Sequence, residues 1–292
     1  RVPDPFLRAM LWGALWDEVR QLRMAPARFV RLALRDLPAE ADEQIVPFVL
    51  GRLGRAVGAY LSVGERDSLA PAAETTLWNR AGDAQSPYGI RKAYLDAFID
   101  LAASADGIAR LDTLLAADSA AGEPLRDPTR WETVTRLLTL AAPQAERRYA
   151  AQQSRDTTPD GRRRAFIAGA ARRSAETKRE YFARYFDDAT LNEEWASGSL
   201  DAFNAIEHES LTLPYLRPAL DSLGFIQANR RIFFLESWLG AFLTGQTSDS
   251  ALQTVHNYLD QHPHLPEDLR RKVLQHADEL DRTVRIRERR QP

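Results

Sequence analysis

Four of the chain's five histidines fall within residues 256–276, HNYLDQHPHLPEDLRRKVLQH: His256, His262, His264 and His276. Imidazole is the commonest metal ligand and a frequent proton carrier, so this stretch invites a metal or acid–base reading. The spacing argues against it. Two imidazoles share a helical face at i, i+4, and no pair here has that separation. His256 and His262 would point about 120° apart on a continuous helix. Pro266-Glu267-Asp268 reads as the start of a new helix, which puts His276 about 15 Å along it. Zinc–nitrogen bonds of about 2.0–2.1 Å do not bridge that gap to His264. All four read as loop and surface histidines.

The fifth, His208, opens His208-Glu209-Ser210-Leu211-Thr212. The zinc-peptidase motif H-E-x-x-H sets two histidines on one metal and a glutamate on its water. Thr212 stands where the second histidine belongs, so the segment reads as a helix end with a solvated Glu-His-Glu. There is no G-x-G-x-x-G, no Walker-type phosphate loop and no G-x-S-x-G elbow. Arg162-Arg163-Arg164 and Arg172-Arg173 face Asp156, Asp160, Glu176 and Glu180 in sequence and read as solvated helix faces. Trp12 and Trp16, one turn apart, read as core. No catalytic, metal or substrate-binding residue is assigned.

The elements that would position these residues are helical throughout. Apolar residues recur at helical spacing: Leu7, Leu11, Ala14, Leu15, Val19; Ile45, Phe48, Val49, Leu53, Val57; Tyr94, Phe98, Leu101; Trp131, Val134, Leu137, Leu138; Tyr181, Phe182, Tyr185, Phe186; Ile232, Leu235, Leu239, Phe242; Leu252, Val255, Leu259; Leu269, Val273, Leu280, Val284. No run of alternating β-branched residues competes with them. Breaks are expected at Pro26, Pro38, Gly64, Pro71, Pro87, Gly107, Gly122, Pro143, Pro159, Gly198, Pro214, Gly224, Gly245 and Pro263. Helix starts are expected at Pro87, Asp127-Pro128, Ser174 and Pro266. This predicts an all-α chain of about sixteen helices, whose pairs recur at about the period of HEAT or armadillo hairpins. An irregular helical bundle is the alternative.

Composition narrows the function classes. The chain has 292 residues, 44% hydrophobic and 27% charged, with a formal net charge of -2. That describes a globular protein, and the balance argues against a nucleic-acid partner. With no cysteine there is neither disulfide nor thiolate chemistry. No apolar run is long enough to span a bilayer, and no secretory signal is read. The opening at Arg1 suggests a piece of something longer. Arginine far outnumbers lysine, a bias that suggests a high-GC bacterial source.

Asp4-Pro-Phe-Leu-Arg-Ala-Met-Leu-Trp-Gly-Ala-Leu-Trp-Asp-Glu-Val-Arg20 and Met24-Ala-Pro-Ala-Arg-Phe29 resemble the opening of the C-terminal helical domain of aminopeptidase N-type zinc metallopeptidases, similar also to that domain of endoplasmic reticulum aminopeptidases. Further stretches agree in order: Leu34 to Glu43; Asp156-Thr-Thr-Pro-Asp-Gly-Arg162 with Ala171-Arg-Arg-Ser-Ala-Glu-Thr-Lys178; Pro214 to Phe242; and Leu259 to Arg287. Ser174 stands where the family has a proline, and Gln275 or His276 where its last helix has a glutamate. The resemblance implies a single helical-repeat domain over 1–292, a curved stack of helix pairs that closes over an active site. It also implies that the zinc, its H-E-x-x-H and the G-A-M-E-N strand lie on earlier domains. The expected partners are the catalytic domain of the same polypeptide and the far end of a peptide substrate. Zinc is expected in that missing domain and no cofactor in this chain, with no nucleic acid and no membrane, in a bacterial cytoplasm. The chain alone is expected to be inactive. Two other readings stay open: a freestanding α-solenoid scaffold for a protein partner, and a helical enzyme built on the His256–His276 cluster.

Overall fold

The computed structural model describes residues 2–120, 123–188 and 190–289. The break expected at Gly122, the residue Arg1 and the side chain of Ile232 lie outside the described residues. Among those described there are sixteen α-helices. In chain order they are α1 (Pro5–Arg20), α2 (Pro26–Asp36), α3 (Ile45–Arg55), α4 (Val63–Ala81), α5 (Tyr88–Leu101), α6 (Ala105–Ala117), α7 (Asp127–Thr139), α8 (Ala145–Arg155), α9 (Pro159–Ala170), α10 (Ala175–Asp187), α11 (Glu193–Phe203), α12 (Glu209–Asp221), α13 (Leu223–Asn229), α14 (Ile232–Thr244), α15 (Asp249–Gln261) and α16 (Glu267–Glu288). The all-α expectation holds. One short antiparallel pair, Ser119–Ala120 with Glu123–Pro124, sits between α6 and α7 and was not foreseen.

The helix starts follow local chemistry. Asp4 accepts from the amide of Phe6 at 2.8 Å and Pro5 fills the first helical position. Ser62 and Glu65 form a reciprocal capping box on α4, and Ser104, Thr158, Ser174, Asn192 and Ser248 cap α6, α9, α10, α11 and α15. Each meets a donor that the first turn leaves without an intrahelical partner. Three expected breaks do not occur. Pro71 lies inside α4, Gly198 inside α11, and Pro214, together with Pro218, inside α12. Pro71, Pro214 and Pro218 all lie on exposed faces. There the carbonyl that each proline leaves unbonded can turn to water, so the helix can run on through the proline.

The described residues form two compact units, one running to Thr133 and joined by the segment from Arg285 onward, the other Val134–Val284. In the first, Trp16 stacks on Tyr60 at 5.5 Å and packs against Phe29 at 5.3 Å. Trp12 meets the same Phe29 edge-on at 6.0 Å and is only half-buried. A π-helical turn, Ala56–Tyr60, follows α3, and the Arg66 guanidinium answers its carbonyls at Val57 and Gly58, at 3.0 and 2.7 Å. In the second unit Tyr185, Phe203, Trp238 and Phe242 form one aromatic core, with Trp238 and Phe242 4.6 Å apart. Phe182 and Tyr215 pack on its margin. Such ring contacts add about 0.5–1.5 kcal/mol each to the burial itself.

Candidate functional site

The histidines were the first candidates, and the structure separates them. His256 and His264 are exposed. His262 stacks on Tyr258 at 4.4 Å, its Nδ1 2.8 Å from the Tyr258 carbonyl. His276 is half-buried, not a bystander: Glu236 of α14 takes its Nε2 at 3.0 Å and also binds the Lys272 ammonium. Burial, and then the Lys272 charge, press the His276 pKa down. Among the described residues no three histidine, aspartate or glutamate side chains come together as a metal site. The described residues therefore offer no cluster of ligands for a zinc ion.

His208 and Glu209 overturn the expectation of a solvated helix end. His208 is fully buried, and its Nε2 lies 2.8 Å from the carbonyl of Thr139, the last residue of α7. A carbonyl only accepts, so Nε2 carries the proton, and the neutral ring serves as a C-terminal cap for α7. Burial, reinforced by the Lys178 charge, drives its pKa down to about 4. Glu209 reaches the opposite kind of helix end. It accepts from the amide of Thr247 at 2.9 Å, the Thr247 hydroxyl at 2.6 Å and the amide of Ser248 at 2.8 Å, where α15 begins. Burial works against its ionisation, but the hydrogen bonds from Ser248 and Thr247 outweigh that and hold its pKa low.

This pattern recurs. Lys178 of α10 is fully buried, and its ammonium donates at 2.7 Å to the carbonyl of Ala170, the last residue of α9. Burial alone pulls its pKa down to about 7. Arg230 donates to Tyr185 in the last turn of α10 at 2.7 Å, and Arg270 to Leu259 in the last turn of α15 at 3.4 Å. At helix starts the partners are acids. Buried Glu74 of α4 accepts from the amides of Ala103 and Ser104 ahead of α6, at 2.8 and 2.9 Å. Glu193 of α11 accepts from the amide of Arg231 ahead of α14 at 3.2 Å. The sign is consistent with the helix dipole, positive at the N-terminus and negative at the C-terminus. Each such contact ties one helix to the open end of another.

Several residues of the motifs noticed in the sequence serve these joints. Asp156 is buried and takes the Thr158 hydroxyl at 2.6 Å while Thr158 caps α9. A Cβ on Gly161 would collide with Asp156, which is why the D-x-T-x-x-G pattern ends in glycine. Of the arginine clusters, Arg172 pairs with Glu146 at 2.8 Å, and Arg163 lies 3.5 Å from Asp160 and 3.7 Å from Glu194, on side chains still open to water. Surface pairs of this kind contribute little, about 0–1 kcal/mol. What the arrangement does chemically is tie side chains of one helix to backbone groups at the ends of others. The described polar clusters show no nucleophile aligned with a base and orienting group.

Comparison with known proteins agrees with this picture. The model of the ERAP1-like C-terminal domain matches residues 1–282. Aminopeptidase N of Streptomyces lividans is 26% identical over 226 residues, covering 76% of this chain and 26% of that protein. The chain thus matches about a quarter of the length of that curated relative. No helix among the described residues is long and apolar enough to cross a membrane. A helical fold whose motif residues knit helix ends together, matched from its first residue to position 282, makes this chain a member of the ERAP1-like C-terminal domain family, the C-terminal domain of an aminopeptidase N-like protein.

Proposed function

We propose that this chain is a non-catalytic helical-repeat domain of a longer zinc aminopeptidase, in a bacterial cytoplasm, and that it limits which peptides reach a catalytic zinc held elsewhere in that polypeptide. The observation that carries the reading is the family match over residues 1–282. The joined helix ends support it. Glu74, Lys178, His208 and Glu209 are spent on backbone groups of other helices, which makes for a stiff wall rather than a reacting centre. Such a wall acts by excluding water and sorting chains by length, not by chemistry. Its partners are the catalytic domain of the same polypeptide and the far portion of a bound peptide.

The test compares the full polypeptide with a version lacking this domain on two substrates, an aminoacyl-anilide and a long unstructured peptide. The truncated enzyme keeps anilide turnover to within about tenfold and loses its discrimination by peptide length. Unchanged length preference in an active truncated enzyme rejects the gating role. In parallel, the purified 292-residue chain supplied with zinc hydrolyses no aminoacyl-anilide, and robust metal-dependent turnover would reject the non-catalytic reading.

A further inference from the structure

Helix α1 is apolar on two sides. Trp16 and Val19 are buried and Trp12 packs on Phe29, so one side serves the core. On the other, Phe6 is 69% exposed, Leu7 48%, Met10 56% and Leu11 51%. At 100° per residue these four, with exposed Ala14, cover about 140° of the helix surface. No charged side chain interrupts that arc over the first three turns, and Asp17 and Glu18 appear only beyond it. An apolar outer side on a helix whose other side already serves the core leaves surface to be covered, and contiguous exposed apolar surface marks an interaction site.

Beside this face runs a groove of about 700 Å³ whose walls include Leu11, Trp12, Leu15 and Leu32. Its two close ion pairs are internally satisfied: Arg8 grips Glu40 with two hydrogen bonds, at 2.7 and 3.0 Å, and Arg35 grips Asp36 with two, at 2.8 and 2.7 Å. Glu40 in turn holds the amides of Ala41 and Asp42. The surface therefore offers a partner apolar contact with its polar groups already paired. That chemistry suits a protein surface and not a nucleic acid or an acidic ligand.

Resting on the reading of this chain as one domain of a longer aminopeptidase, we propose that the outer face of α1, from Phe6 to Leu11 with the adjoining groove, is the seat of another domain of the same polypeptide. The matched curated relative is about four times as long as the segment it shares with this chain, so most of such a polypeptide lies outside it. The four exposed side chains offer on the order of 400 Å² of apolar surface, short of the roughly 800 Å² per partner usual in a stable complex of separate molecules. A tethered domain needs less, because its effective concentration is already high.

Met10 makes the test direct. It is one of two methionines in the chain, and thioether oxidation tracks exposure. The chain alone and the full polypeptide are treated with dilute hydrogen peroxide, and sulfoxide is followed by mass spectrometry, with half-buried Met24 as internal reference. Met10 is expected to oxidise at least about tenfold more slowly in the full polypeptide, and a Leu7→Glu substitution there restores fast oxidation. Equal Met10 rates in the two proteins overturn the proposal. So does a chain that dimerises by itself with Met10 already protected, which makes a second copy the occupant. Aminoacyl-anilide hydrolysis by the same full polypeptide is read separately. Activity with an unprotected Met10 sinks only the docking, whereas protection without activity sinks the aminopeptidase reading and leaves the docking intact.

Discussion

The imidazole of His208 closes the C-terminus of α7 by donating to Thr139, 69 residues earlier in the chain, over 2.8 Å and out of contact with solvent. This contact requires a neutral ring. Its folded pKa of about 4 lies below the ordinary value of 6.5, so the unfolded chain takes up the proton first as pH falls. The stability contributed by the neutral ring is complete above pH 6.5 and is lost as pH drops from 6.5 towards 4. The loss is about 3 kcal/mol at about 1.4 kcal/mol per unit. His208→Gln keeps an N–H donor and cannot titrate. Urea unfolding at pH 7 and pH 4.5 should show a smaller acid loss in that variant than in the parent.

Lys178 reverses the usual expectation for removing a hydrogen-bonded lysine. Its pKa falls from 10.5 to about 7 on burial, so between those values the unfolded state binds the extra proton and stability rises with pH. At pH 7 the chain carries nearly the whole cost of burying that amine, about 4–5 kcal/mol. The bond to Ala170 returns only about 1–3 kcal/mol of it. Lys178→Met, similar in length and without charge, should therefore stabilise the protein by roughly 1–3 kcal/mol at pH 7 and flatten its stability between pH 7 and 10. A destabilised variant with an unchanged pH slope would show that the amine is better solvated than its surroundings suggest.

The glycines divide by what stands in front of them. A Cβ on Gly107 would lie 2.5 Å from Oε2 of Glu74, the buried carboxylate at the start of α6. Gly107→Ala should cost about 2–4 kcal/mol, through displacement of that carboxylate. Gly64, in the first turn of α4, has nothing within 4 Å of its would-be Cβ. Gly64→Ala should gain about 0.5–1 kcal/mol from the unfolded-chain entropy. Thermal midpoints of the two variants should move in opposite directions.

Glu209 offers a test of the joint at α15. Glu209→Ala leaves three donors of Thr247 and Ser248 without their acceptor, for an expected loss of about 2–3 kcal/mol. Glu209→Gln keeps an acceptor oxygen and should lose about half as much. Hydrogen exchange should place the new opening at the first turn of α15, while the α4–α6 joint at Glu74 keeps its protection.

Zinc should do nothing to this chain. Zinc titration by calorimetry should give no stoichiometric binding, and added zinc should leave the thermal midpoint in place. The double variant His264→Ala/His276→Ala should behave the same way towards the metal. A stoichiometric, histidine-dependent heat would contradict the separation of these side chains.

Helix type and number were legible because their cause is local. The 3.6-residue stripes, the cap Ser174 and the prolines at helix starts act within a few residues of themselves. Spacing likewise argued against a metal reading of residues 256–276, because it too is a local property. What the sequence hid depends on partners far along the chain. Nothing near His208 or Glu209 announces Thr139 or Thr247, so burial looked like solvation. Pro71 and Pro214 resembled breaks because the exposed side on which they fall is a tertiary fact. Leu7 and Leu11 fitted an inward stripe by period alone, yet they face outward.

The ties between helix ends also set how this chain responds to being shortened. In an ideal repeat array each unit touches only its neighbours, and terminal units can be trimmed one at a time. Here an end at residue 205 would remove His208 from α7, and an end at residue 265 would take Arg270 from α15. Each cut strips a cap from a helix that was kept. Loss of structure should therefore spread backwards from the cut, and the second unit should melt in one cooperative step rather than fray repeat by repeat.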